Sequence, residues 1–252
     1  MTELAYLPDL PSAYVRTFRA RVTALPPGAV VLDRTYFYPA GGGQPADRGT
    51  LRTDGGGSLS VVDVVKSGAA VLHRLRGDPA VLRELRAGLE LEGTIDWARR
   101  HRHMRLHTGQ HLASALVFAR TGLRTRKAIL GGSSATIDLE GPLDAAALEV
   151  VSAGLQEAVD HPRPVTVRAV PRAEWEAAPM SGRSGLVPLP PQVDPVRVVE
   201  IDATDAGPCG GTHVRSTEEI GAVRWLPIVV LPGGASRIGF TLVEDARTTR
   251  AE

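Results

Sequence analysis

The chain has 252 residues, 43% hydrophobic and 23% charged, with 29 Lys and Arg against 28 Asp and Glu. That composition excludes wholesale disorder, and no apolar run approaches the ~20 residues a membrane-spanning helix needs. A net charge of +1 makes no case by itself for nucleic-acid binding, and a single cysteine, Cys209, excludes an internal disulfide.

At ~150 residues per domain the length allows one large domain or two ordinary ones. Residues 1–94 are rich in Gly and Val, with strand signals at Val30–Leu32, Leu59–Val65 and Ala69–Leu75. Gly41-Gly42-Gly43 and Gly55-Gly56-Gly57 punctuate them as turns, which predicts a Gly-rich β unit with a barrel-like sheet. At Asp96 the pattern changes. Asp96 can cap a helix from Trp97 to Thr121, with Gly122 as its stop. A second helix is expected from Leu143 to Val159, started by Gly141-Pro142 and stopped by His161-Pro162. Strands are expected at 128–139, 165–170, 196–201, 222–230 and 237–243, so residues 95–252 form an α+β domain. The Pro- and Gly-rich stretch 179–195 reads as a long loop. The N-terminus has no basic region followed by an apolar stretch, so a cytoplasmic location is expected.

Histidine placement carries the chemistry. His107 and His111, in HTGQH, are four apart in the predicted helix, so both imidazoles lie on one face. Two neutral imidazoles so spaced can ligate one zinc ion, and with no Glu between them this is not a HExxH protease motif. Downstream, PCGGTH places Cys209 four residues before His213, with Gly210 and Gly211 expected to let the backbone turn tightly. Together the pairs offer three imidazoles and a thiolate, a donor set that suits one Zn²⁺ per chain.

Two further features surround these pairs. Arg99, Arg100, Arg102 and Arg105 precede HTGQH, and Lys66 and Lys127 are the only lysines, so the positive charge is nearly all guanidinium. Such a cluster can meet phosphate or can simply be a solvated helix face. FYPAGGGQPADRG, residues 37–49, has consecutive glycines beside Gln44 and Asp47. It lacks the Gly-Lys-Ser/Thr of a phosphate-binding P-loop and the spacing of a dinucleotide fold.

The ordered set of the Gly-rich segment, DWARRHRHMRLHTGQH and VVEIDATDAGPCGGTHVRSTEEIGAVRW resembles the editing domain of alanyl-tRNA synthetase. The match runs over roughly residues 30–245 and leaves no room for an aminoacylation domain, so the chain resembles the free-standing AlaX editing proteins. The resemblance implies an N-terminal β domain followed by an editing domain shared with threonyl-tRNA synthetase. It implies hydrolysis of the ester joining serine or glycine to alanine tRNA, with mischarged tRNA as partner. Zinc ligation carries over to His107, His111, Cys209 and His213, and the Gly-rich motif to Gly41, Gly42, Gly43, Gln44 and Asp47. Ala40 and Gly109 depart from the residues many relatives carry there. The stretch GGSSATID falls where relatives place pocket residues, which makes Ser133, Ser134 and Thr136 candidate readers of the serine hydroxyl. A tRNA substrate makes Arg99, Arg102 and Arg105 candidate phosphate contacts. No residue is singled out as the catalytic base: either one zinc ligand is loose and water or substrate enters, or zinc orients the site and the water is activated elsewhere. The expected assembly is a monomer or weak homo-oligomer with no membrane association. The alternatives are a deacylase of another mischarged tRNA, such as seryl-threonine tRNA, a non-catalytic zinc-stabilised tRNA-binding module, and a zinc hydrolase of small esters.

Overall fold

The computed structural model describes residues 1–178 and 189–243, a mixed α and β chain. It divides into two compact units, Met1–His103 and Met104–Glu252. Among the described residues no helix is long and apolar enough to cross a membrane.

The first unit opens with β1 (Glu3–Leu4), α1 (Leu10–Ala13), β2 (Thr17–Ala24), β3 (Ala29–Leu32) and β4 (Arg34–Thr35). It continues with β5 (Gly49–Thr53), β6 (Ser58–Ser67), β7 (Ala70–Gly77), α2 (Pro79–Glu84) and β8 (Glu90–Ile95). Six strands hydrogen-bond in the order β2-β3-β7-β6-β5-β8, and β8 pairs back to β2, so the sheet closes on itself. Alternation explains the closure. In β2, Phe18, Ala20 and Val22 are buried while Thr17, Arg19 and Arg21 face out. Leu32, Phe37, Leu51, Val61, Val64, Leu91 and Ile95 join them in one core. Gly93 lies under the Phe18 ring, and a Cβ there would come within 2.6 Å of Phe18 Cζ.

The helix α3 (Trp97–Thr121) is bounded by its predicted residues. Asp96 Oδ1 accepts the Arg99 N–H at 3.0 Å, and Gly122 ends the helix at φ 74°, donating to the Phe118 carbonyl.

The second unit continues with β9 (Thr125–Leu130), β10 (Ser134–Leu139), α4 (Ala145–Asp160), β11 (Val165–Val170) and α5 (Arg172–Ala177). After these come β12 (Val196–Ile201), β13 (Asp205–Pro208), β14 (Val223–Trp225), β15 (Val229–Val230) and β16 (Ser236–Leu242). One sheet runs β14-β16-β10-β9, with β15 also on β16, and a second runs β11-β12-β13. The expected single strand 128–139 is two antiparallel strands, because Gly131, Gly132 and Ser133 turn the chain between them. The expected strand 222–230 is likewise β14 and β15, separated by a segment containing Pro227. Helix α4 starts at Asp144, whose carboxylate accepts the Ala147 N–H at 2.7 Å, rather than at Gly141-Pro142. Of the predicted loop 179–195, residues 179–188 lie outside the described residues. Its described end is held by Arg172, whose guanidinium donates to the carbonyls of Leu189, Pro190 and Val193.

Candidate metal centre

All four predicted donors converge within the second unit. His107 and His111 project from one face of α3, their ring centroids 5.1 Å apart. Cys209 directly follows β13, and His213 lies four residues on. The four ligand atoms lie within 4.8 Å of one another, so the group could hold a metal ion.

The spacing tests the fit. Bonds of about 2.3 Å to sulfur and about 2.0 Å to nitrogen, at tetrahedral angles, separate sulfur from nitrogen by about 3.5 Å. Cys209 Sγ stands 3.6 Å from His107 Nε2 and 3.3 Å from His213 Nε2. The site is buried on one side: His213 is fully buried and His107 is 4% exposed, while His111 and Cys209 are half-buried.

Surrounding groups orient the donors. Asp205 Oδ2 lies 2.9 Å from His111 Nδ1, which leaves Nε2 for a metal. Thr108 Oγ1 lies 3.1 Å from His213 Nδ1 and accepts the Val214 N–H at 3.2 Å. The Gly211 N–H donates to Cys209 Sγ at 3.3 Å. Burial alone would raise the Cys209 thiol, yet the charges of His107 and His213 and hydrogen bonds from His107 and His111 hold it well below the usual thiol range. Burial opposes charge on His111 too, but Asp205 and Cys209 outweigh it and raise its pKa to about 10. A pocket that favours thiolate suits a soft metal ligand.

Asp205 and Thr108 were absent from the sequence reading. Thr108 lies inside HTGQH, but its link to His213 spans 105 residues, and the Asp205 link to His111 spans 94. No local pattern encodes either. The two glycines of PCGGTH also play a different part from the expected one. Neither Gly210 nor Gly211 takes a positive φ, so the turn rests on the Gly211 N–H to sulfur bond instead. Gly109 has a packing reason: a Cβ there would come 2.9 Å from Phe240 Cζ.

The other singled-out residues fall elsewhere. Gly42 (φ 57°) and Gly43 (φ 84°) form a tight turn closed by reciprocal backbone bonds between Gly41 and Gln44. Gln44 is 2% exposed and Asp47 is fully buried. The Asp47 carboxylate accepts the Tyr38 N–H at 2.7 Å and forms a buried ion pair with Arg100. Arg100 also donates to the Ala13 and Tyr36 carbonyls. Asp47 is therefore held as a brace inside the first unit.

Strand alternation places Ser134 and Thr136. Ala135 pairs with Phe240, both are buried, and Phe240 meets Gly109 of α3. Thr136 pairs with Gly239, so Ser134 and Thr136 lie on the opposite face, away from the helix that carries His107 and His111. There Thr136 lines a separate apolar hollow with Leu226, Pro227 and Val229. Of the arginines, Arg99 donates to the Ala46 carbonyl and Arg105 to the Ile220 carbonyl, each at 3.0 Å through Nε; Arg102 is half-buried.

Comparison with known proteins follows the same division. The model of class II (A) tRNA synthetases matches residues 13–99. The threonyl and alanyl tRNA synthetase second additional domain matches residues 196–238. The alanyl-tRNA editing protein AlaX-M of Methanosarcina barkeri is 33% identical, over 97% of this chain and 100% of the relative. The chain belongs to the alanyl-tRNA editing protein family. The AlaX-M of Saccharolobus solfataricus is 31% identical over 96% of this chain and 99% of its own length. The alanine–tRNA ligase of Pyrobaculum neutrophilum is 35% identical over 95% of this chain, which spans only 28% of that enzyme.

Proposed function

We propose that this AlaX-M relative is a trans-editing deacylase that hydrolyses the ester joining serine or glycine to alanine tRNA and spares alanyl ester. The observation that carries the reading is the convergence of His107, His111, Cys209 and His213 in a chain that matches editing proteins over their full length. The donor set of three imidazoles and one thiolate favours zinc.

Zinc held by these four residues would supply a fixed positive charge at the centre, and Lewis-acid polarisation only with a coordination position open. The chain's own groups do the rest of the positioning. Asp205 and Thr108 hold the His111 and His213 rings by their Nδ1 atoms. The buried surroundings of His107 and His213 exclude bulk water from one side of the centre. Four protein donors fill a tetrahedron, so a placed water must be activated outside the donor set or after one donor loosens. The substrate's own amino group or a terminal ribose hydroxyl can assist. Arg99, Arg102 and Arg105 are the proposed phosphate contacts; the Nε atoms of Arg99 and Arg105 are each anchored on a backbone carbonyl.

The test is deacylation of seryl- and alanyl-alanine tRNA by the wild type and Cys209→Ala, with zinc content measured for each. Rapid loss of serine, sparing of alanine, and loss of metal with at least 10²-fold lower turnover in the variant are expected. Zinc and tRNA binding without turnover of either ester would make the protein a binding module. Turnover of seryl-threonine tRNA alone would reassign the substrate.

A further inference from the structure

A second candidate site lies on the first unit, on the outer face of its closed sheet. Strand register sets Thr94 opposite Thr50, Thr50 opposite Ser60, and Ser60 opposite Arg76. Directly opposed residues share a face, so three hydroxyls and a guanidinium form one row across β8, β5, β6 and β7. The row faces solvent, because the alternate residues Leu51, Val61 and Ile95 belong to the core. It floors a cavity of about 540 Å³.

Charge at the rim is arginine. Arg48 and Arg76 both line the cavity and are exposed, and among the described residues neither makes an ion pair. Asp96 is the carboxylate on the rim, and its Oδ1 is engaged by the Arg99 N–H as the cap of α3. Burial, then the Arg48 charge, lower the Arg99 pKa, with the Asp47 and Asp96 carboxylates opposing and Arg102 adding to the fall, so Arg48, Arg99 and Arg102 lie close enough for their charges to interact. Uncompensated guanidiniums beside a row of short hydroxyls match the donors that phosphodiester oxygens accept from.

We propose that the Thr94-Thr50-Ser60 row, with Arg48 and Arg76, binds the phosphodiester backbone of the tRNA substrate. The inference rests on the reading of tRNA as substrate, and uncharged tRNA separates the two, since its binding requires no ester turnover.

Binding of an uncharged alanine tRNA transcript is followed by fluorescence anisotropy across a salt series. The proteins are wild type, Arg48→Ala/Arg76→Ala, the charge-neutral Thr50→Val/Ser60→Ala, and Arg83→Ala on α2, each with a thermal melt to verify folding. The arginine pair should weaken binding about tenfold or more and reduce the slope of log K against log salt by about 1–2. The hydroxyl pair should weaken binding about threefold with the slope unchanged, and Arg83→Ala should change it by less than about twofold. Wild-type affinity and slope in the arginine pair would overturn the site, as would an equal loss in Arg83→Ala or no wild-type binding of tRNA. Deacylation by the wild type with pocket-independent binding would overturn this site alone. Pocket-dependent binding without deacylation would overturn the enzyme reading and leave the site standing.

Discussion

Asp205 acts on the metal centre without belonging to its donor set. Its carboxylate fixes His111 through Nδ1, so Asp205→Asn should lower metal affinity about 10–100-fold in competition with a chelator. Unchanged affinity would mean that helix packing alone orients His111. Asp47 shows the opposite relation between motif and role. A Gly-rich turn invites a ligand reading, but the partner of Asp47 is Arg100, 53 residues away, and no local pattern announces it. Removing one charge of a buried pair strands the other, so Asp47→Asn should cost about 3–5 kcal/mol in urea unfolding. A cost under about 1 kcal/mol would mean that the Ala13 and Tyr36 carbonyls suffice for Arg100.

Among the elements, α3 was legible because its signals are local: a capping Asp96, a terminating Gly122, and two imidazoles one turn apart. The β9 and β10 hairpin was not, because 128–139 reads as one strand until Gly131–Ser133 is recognised as its turn. The face of Thr136 follows from that hairpin. A side-chain period of two makes orientation depend on register, which is set by β16, a strand about a hundred residues downstream. With Thr136 on the face away from α3, Thr136→Val should leave the ratio of seryl to alanyl deacylation within about twofold of wild type. A loss of serine preference would return Thr136 to the substrate pocket.

For the whole molecule, acid stability is written into a buried polar chain of the first unit. His73 is fully buried, its Nδ1 3.2 Å from the Val30 carbonyl and its Nε2 2.8 Å from Thr35 Oγ1. Burial outweighs these bonds and lowers its pKa to about 4. Below the unfolded value near 6.5 the unfolded chain takes up a proton that the folded chain refuses. Stability is therefore full above pH 6.5 and falls by about 3 kcal/mol as pH drops towards 4. Asp138, held low by Arg237, adds a further loss only below its ordinary value of 3.8. Urea titrations of Cys209→Ala, a background without the metal ligand set, should show this slope between pH 6.5 and 4. Thr35→Val/His73→Leu in the same background should reduce it, leaving the share of His213, whose pKa burial and His107 lower to about 3; an equal slope would place the titrating groups elsewhere.

The sequence by itself determined the donor set, the long helix with both of its ends, and the family, because each is encoded in residue types at short, fixed spacing. Tertiary structure decided what those spacings cannot contain: that Asp205 and Thr108 hold two of the candidate metal donors, that Asp47 is an internal brace, and that Ser134 and Thr136 turn away from α3. It also decided that Thr94, Thr50, Ser60 and Arg76 stand in one row. The physical reason is the same in each case. Local propensity fixes elements within about one or two turns of chain, whereas strand register and buried ion pairs join residues 10 to 100 positions apart and exist only once the core has formed.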